Sequence, residues 1–142
     1  MIRLLTIEDY EEIYRLWQNT PGVGLRSLDD SKEGIRRFLL RNPYTCFVSM
    51  EEGRIAGVIL SGHDGRRGYI YHACVDGAFR RRTIGRQLAL KVMAAMNAEG
   101  IHKLALVAFR ENDLANYFWS KTGWELREDL NFYSISLNND NN

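Results

Sequence analysis

The sequence predicts an α/β protein with one mixed, mostly antiparallel central sheet of about seven strands, flanked by about four helices. Three observations carry this expectation. Thr45–Met50, Ile55–Ser61 and Tyr69–Val75 are short apolar runs separated by Gly-rich turns, the pattern of an antiparallel meander. Before them, apolar residues recur at helical spacing. After them, strand-like and helix-like segments alternate.

Taken in order, Ile2–Leu5 reads as a strand, and Thr6 with Asp9 three residues on reads as a helix start. Tyr10, Ile13, Tyr14 and Trp17 form the stripe of that helix, and Thr20-Pro21-Gly22-Val23-Gly24 breaks it. A second helix is expected from about Ser31 to Arg41, carrying Ile35, Phe38 and Leu39 on one face. It ends before Pro43, because the residue preceding a proline is pushed out of the helical region. The three meander strands follow. The loop Asp76–Arg82 leads to a helix from about Thr83 to Glu99, buried through Leu88, Val92, Ala95 and Met96 and stopped by Gly100. Lys103–Ala108 is almost wholly apolar and reads as a strand buried on both faces. Asn112–Lys121 reads as a helix with Leu114, Tyr117 and Phe118 inward. Trp124–Arg127 and Phe132–Leu137 read as the closing strands, and the Asn-rich residues 138–142 as a frayed end.

The chain has 142 residues, 45% hydrophobic and 26% charged, so residues 1–142 read as a single domain able to build its own core. Nineteen Lys and Arg against 18 Asp and Glu leave a formal charge of +1, which argues against a nucleic-acid partner held by phosphate neutralisation. No apolar run approaches the roughly 20 residues that cross a bilayer, and the first residues lack signal-peptide character, so no membrane partner and a cytoplasmic address are expected. Cys46 and Cys74 lie in apolar stretches and read as reduced, buried thiols. His63, His72 and His102 lack metal-ligand spacing, so no metal site is expected.

The chemistry-bearing stretch runs from Ala73 to Leu88. A strand enters a loop and then a helix whose first turn offers free backbone N–H groups and the positive end of its dipole. Arg80, Arg81, Arg82 and Arg86 crowd the same junction in a nearly neutral chain. A diphosphate fits such a place, and a solvated basic helix start is the plainer reading. The glycine spacing is neither a Walker loop nor a dinucleotide fingerprint.

Arg80 to Gly85 resembles the Arg/Gln-x-x-Gly-x-Gly/Ala signature of the GNAT superfamily of acyl-CoA-dependent N-acyltransferases. Asn112-Asp113-Leu114-Ala115 followed by Tyr117, Phe118, Trp119, Gly123 and Trp124 resembles that family's second signature. The resemblance covers essentially the whole chain. It implies acetyl-CoA as co-substrate, with pantetheine on the backbone of Ala73, Cys74 and Val75. It places the pyrophosphate on Arg80, Arg81, Arg82, Thr83, Ile84, Gly85 and Arg86, with Asn112 and Trp119 along the channel. It further implies direct attack by a primary amine of a small molecule or peptide, with no acyl-enzyme.

The sequence departs from the family at three places. Thr83 stands where the first glycine belongs, and either crowds the phosphate or caps the helix. Trp119 stands where a tyrosine usually acts as acid; it is a catalytic candidate as a donor to sulfur, or a wall of the channel, with Tyr117 and Tyr133 as other donors. No carboxylate occupies Leu104–Ala108, so His72, expected on one face with Ile70 and Cys74, is the candidate base and Glu111 the runner-up. Asp29 and Asp30 are candidates for holding a cationic amine or for capping the second helix. Trp17 and residues 20–30 occupy the region that shapes the acceptor pocket in this family, and the hairpin tip 63–68 reads as turn chemistry or as a rim of that pocket. The competing reading is an acyl-CoA-binding module with little catalysis, and the assembly expected is a monomer or homodimer.

Overall fold

The computed structural model describes residues 1–80 and 82–142; the Arg81 expectation lies outside the described residues. Five strands form one sheet in the order β1-β2-β3-β4-β5: β1 (Ile2–Leu4), β2 (Phe47–Glu51), β3 (Arg54–His63), β4 (Gly68–Val75) and β5 (Leu104–Leu106). β1 to β4 pair antiparallel and β5 joins β4 in parallel, so the sheet is mixed. Four helices flank it: α1 (Tyr10–Gln18), α2 (Lys32–Arg41), α3 (Ile84–Ala98) and α4 (Asp113–Lys121).

The expected seven strands are two too many. Trp124–Arg127 and Phe132–Leu137 carry strand composition but pair with no strand among the described residues. The strand expected over Lys103–Ala108 shortens to three residues. It lies at an edge, with Val107 56% exposed, so it is not buried on both faces. Nor does α4 bury the expected face, because Leu114 and Tyr117 are 62% and 63% exposed.

Two apolar layers sandwich the sheet. On one side Ile13 and Trp17 of α1 and Ile35 of α2 pack with Val48, Val58, Leu60 and Cys74. On the other, Ile84, Leu88, Val92 and Met96 of α3 pack with Ala56, Ile59 and Ile70. Thr6 starts the first helical segment as expected: its N–H donates to Asp9 Oδ2 at 3.0 Å. A 3-10 turn, Ile7–Asp9, precedes α1. Ser31 caps α2 by accepting from Gly34 N–H at 3.0 Å, so neither Asp29 nor Asp30 does so.

Two register shifts re-aim side chains. One lies between Ser49 and Met50 of β2, where Ala56 is the extra residue of β3. The other makes Tyr71 the extra residue of β4, since Leu60 pairs with His72 and Ser61 with Ile70. Alternation therefore breaks at Tyr71. Ile70 packs in the α3 layer, whereas His72 turns to Trp17 and Cys74 stays in the α1–α2 layer, which corrects the expectation that all three share a face.

Gly57 sets how closely α3 approaches the sheet. A Cβ there would lie 3.0 Å from Ile84 Cγ2, 3.1 Å from Leu88 Cδ1 and 3.2 Å from the Cys74 carbonyl oxygen. Gly57→Val should therefore destabilise the fold by about 1–3 kcal/mol in urea titrations, the range of core overpacking. Thr83, at the N-cap of α3, has φ +60° and ψ +17°, a left-handed conformation that a β-branched residue adopts under strain. Relief of about 1–2 kcal/mol, less the greater chain entropy of glycine, predicts that Thr83→Gly stabilises by about 0.5–1 kcal/mol. Calorimetry should show the melting temperature rising by roughly 1–4 °C.

Candidate functional site

β4 and β5 pair only from Gly68–Leu104 to Ile70–Leu106. Beyond that step the two chains part, and a cavity of about 1250 Å³ opens between Tyr71–Val75 on one wall and Leu106–Arg110 on the other. Its floor is the N-terminal end of α3, with Thr83, Ile84, Gly85 and Arg86. Ala115, Phe118 and Trp119 of α4 close the far side, and residues 20–24 close the near one.

The strand-loop-helix junction is held by packing. Asp76 accepts from Ala78 N–H at 2.9 Å and starts a 3-10 turn, Gly77–Phe79. Phe79 is buried, with the guanidinium of Arg54 4.7 Å and that of Arg82 5.2 Å from its ring centroid. Arg82 therefore stacks on Phe79 and is absent from the cavity wall, whereas Arg80 and Arg86 line it. The first-turn amides of α3, those of Ile84, Gly85 and Arg86, point along the helix axis toward this floor. Thr83 caps no amide with its side chain: its hydroxyl donates to the Arg82 carbonyl at 2.6 Å and accepts from Gln87 Nε2 at 2.9 Å. The hydroxyl is satisfied inside the chain.

Asn112 lines the cavity and caps α4, its Oδ1 accepting from Ala115 N–H at 3.1 Å. Asn116, which sequence reasoning passed over, ties the β5–α4 loop together. Its Nδ2 donates to the carbonyls of Phe109 at 2.9 Å and Asn112 at 2.8 Å. Its signal was a polar side chain one turn after a helix cap. Trp119 is half-buried between Phe118 at 4.8 Å and Trp124 at 5.1 Å, both edge-on, in an aromatic wall. Tyr117 also lines the cavity, with Lys121 Nζ 3.2 Å from its hydroxyl, while Tyr133 is 86% exposed and outside the lining. Glu111 and the hairpin tip lie outside the lining as well. At that tip Asp64 accepts from the amides of Arg66 and Arg67, and these backbone bonds, Arg67's first, hold its carboxyl below the usual range.

Ala73, Cys74 and Val75 all border the cavity. Burial pushes the Cys74 thiol up to about 12, and the deeper Cys46 thiol likewise. Both cysteines are free and buried, as expected.

His72 stands on the β4 wall of the cavity. Its Nε2 lies 2.7 Å from Asp30 Oδ1, and the Trp17 ring meets it edge-on at 4.9 Å. Asp30 is buried and doubly committed: Oδ2 accepts from Arg26 N–H at 2.7 Å, and its carbonyl accepts from the Tyr10 hydroxyl at 2.7 Å. Sequence reasoning named Asp30 for capping or for binding an amine; the pairing with His72, 42 residues away, is set by tertiary packing and left no local pattern.

The model of the Acetyltransferase (GNAT) family matches residues 10–124. Acetyltransferases of Yersinia pestis (strain Pestoides F) and Yersinia pseudotuberculosis serotype I (strain IP32953) are each 28% identical over 129 residues, covering 91% of this chain and 90% of theirs. Among solved structures, Ard1 from Thermoplasma volcanium is similar with a TM-score of 0.76 at 22% identity, over 87% of this chain and 80% of that one. The PaiA N-acetyltransferase from Thermoplasma acidophilum, in complex with coenzyme A, gives 0.76 at 21% identity, over 89% and 90%. AAC(6')-Iy in complex with a bisubstrate analogue gives 0.73 at 20% identity, over 96% and 97%. These structural likenesses speak for the fold. The family match runs from the first residue of α1 through α4 and takes in both walls of the cavity, and on it the chain belongs to the GNAT acetyltransferase family.

Proposed function

We propose that this protein transfers the acetyl group of acetyl-CoA to a primary amine of a small molecule or peptide, by direct attack of the amine on the thioester. The observation that carries the reading is one continuous cavity, running from the amide-rich start of α3 through the β4–β5 gap to His72. The pyrophosphate sits on the amides of Ile84, Gly85 and Arg86, with Arg80 and Arg86 supplying charge. Arg82 supports the loop through Phe79. Pantetheine follows Ala73–Val75, past Asn112, and Trp119 serves as an apolar wall of its channel.

His72 takes a proton from the substrate's ammonium and so frees the lone pair that attacks. With Asp30 accepting the Nε2 proton, Nδ1 keeps the free lone pair, and the edge of Trp17 holds the ring in place. Asp30 is thus a positioning residue. The amine nitrogen bonds to the thioester carbon, the C–S bond breaks, CoA leaves as a thiolate that needs little help at neutral pH, and the second N–H proton is lost to water. Cys74 borders the cavity, but its raised pKa keeps it a thiol, which supports direct transfer.

Thiol release from acetyl-CoA across a panel of amines tests the reading, alongside calorimetric titration with acetyl-CoA. Saturable binding with amine-dependent release is expected. Binding without release would favour an acyl-CoA-binding module, and no binding at millimolar ligand would overturn both. His72→Gln should keep CoA binding and lower kcat/KM by roughly 10²-fold.

The cysteines give a separate check. Their native pKa values of about 12, against 9.0 for the free thiol, predict no alkylation of the folded chain at pH 8 and full alkylation after denaturation. Above about pH 9 the unfolded chain gains by ionising first, so stability should fall as pH rises toward 12, readable as a falling melting temperature.

A further inference from the structure

The proposed reaction assigns the CoA half of the cavity and leaves the acceptor half without a holder for the amine. The sequence offers two carboxylates for that task, Asp29 and Asp30, and both are committed elsewhere. Asp30 accepts at Oδ2 from Arg26 N–H at 2.7 Å, and its Oδ1 lies 2.7 Å from His72 Nε2. Asp29 lies outside the lining, where its Oδ2 accepts from Asn141 Nδ2 at 2.8 Å. The Asn-rich end of the chain is anchored there rather than frayed. Among the described residues no Asp or Glu borders the cavity, and the formal charges on its lining are those of Arg80, Arg86, Arg110 and Lys121. A second ammonium on an entering molecule would therefore find no anion, and would add like-charge repulsion to its dehydration.

Aromatic rings stand in the place of such carboxylates. Tyr71 and Phe109 lie on facing walls of the cavity and are 54% and 59% exposed. Tyr71 precedes His72 in β4, and the bulge turns both side chains toward α1 and α2. Its ring is braced from behind, by Tyr69 with centroids 4.7 Å apart and by Phe38 edge-on at 5.4 Å. Phe109 is placed by the 20–24 loop, since a Cβ on Gly24 would lie 3.5 Å from Phe109 Cζ. That loop runs from the end of α1, where Trp17 meets His72 at 4.9 Å, to the Phe109 wall. Braced rings left open to a cavity form a surface for a flat apolar group.

We propose that the acceptor is a primary amine carried on an aromatic body with no second positive charge, its ring resting on Tyr71 beside His72. This rests on the transfer reading above and adds the class of acceptor to it. The rings stack on the acceptor's own ring and remove its apolar area from water. Their faces also attract its one ammonium until His72 takes the proton. A polyamine brings no ring to Tyr71 and carries further charges that the lining repels. Free arylalkylamines and peptides with an aromatic first residue present the same chemistry.

Thiol release from acetyl-CoA is measured with 2-phenylethylamine, a phenylalanyl dipeptide, butylamine and spermidine. An aromatic amine should exceed butylamine and spermidine in kcat/KM by about tenfold or more. Which of the two aromatic amines leads tells a free amine from a peptide N-terminus. Tyr71→Ala should raise KM for that amine by about tenfold and erase its lead over butylamine, while the Kd for acetyl-CoA holds. Tyr71→Phe should keep the lead. Should Tyr71→Ala fail to fold, Tyr71→Leu, which keeps apolar volume without a ring, takes its place. Butylamine or spermidine matching the aromatic amines would overturn the acceptor class and leave transfer standing, as would a lead that survives loss of the ring. If no amine releases thiol, transfer itself fails, and calorimetry on the CoA-loaded protein decides the acceptor class. Binding of 2-phenylethylamine tighter than that of spermidine then supports it, and equal or weaker binding overturns it.

Discussion

Tyr71 is the extra residue of β4, and the candidate site takes its shape from that insertion. Without it, strict alternation would place His72 on the face that Ile70 occupies. With it, Tyr71 and His72 both project toward α1 and α2, where Phe38 meets Tyr71 at 5.4 Å and Trp17 meets His72 at 4.9 Å. Past the same insertion β4 leaves β5, and the gap that becomes the cavity begins. One additional residue therefore turns the imidazole to Asp30, at the point where the β4–β5 pairing ends.

The floor of the cavity depends on close backbone approach. Gly57 lets Ile84 and Leu88 rest on the strand, which sets the start of α3 against the carbonyl end of β4. The chain must then turn sharply from the 3-10 turn into α3, and it does so through a left-handed residue at position 83. Glycine adopts that conformation freely. Threonine holds it with its hydroxyl tied to Arg82 and Gln87, which explains in physical terms why the family signature asks for glycine there and how this sequence meets the geometry without it.

Much of this was legible in the sequence, and the unread part has identifiable causes. Helical periodicity located Ile13 and Trp17, Ile35, and Leu88 with Val92 and Met96, because each pattern is local and one face of each helix is buried. The strand-loop-helix junction was legible because loop, helix start and arginines are contiguous. The Asp30–His72 contact was not, since it joins residues from a loop and a strand far apart in sequence. A bulge leaves no mark in an apolar run such as Tyr69–Val75, so the face of His72 was misassigned relative to Ile70. The strands expected at 124–127 and 132–137 are absent for another reason: strand composition reports a preference for pairing, and neither segment pairs with a strand among the described residues.

Asp30 also connects regions that look separate. Its carboxylate holds His72, and its carbonyl accepts from Tyr10 on α1. The loop that carries it lies against Gly34 of α2, where any side chain would strike the Leu28 and Asp29 carbonyls. Asn141 grips the outer side of that loop through three hydrogen bonds, to the amides of Leu28 and Asp29 and to the Asp29 carboxylate. The loop is thus fixed from α1, from α2 and from the far end of the 124–142 segment at once. A buried carboxylate–imidazole contact of 2.7 Å tolerates little displacement of either partner, because each polar group would lose its main compensation for burial. Movement of the 26–30 loop must therefore be felt at His72, and the segment that fastens that loop also borders the cavity through Phe132. The orientation of the imidazole is in this way tied to a segment nineteen residues long that supplies no strand to its own sheet.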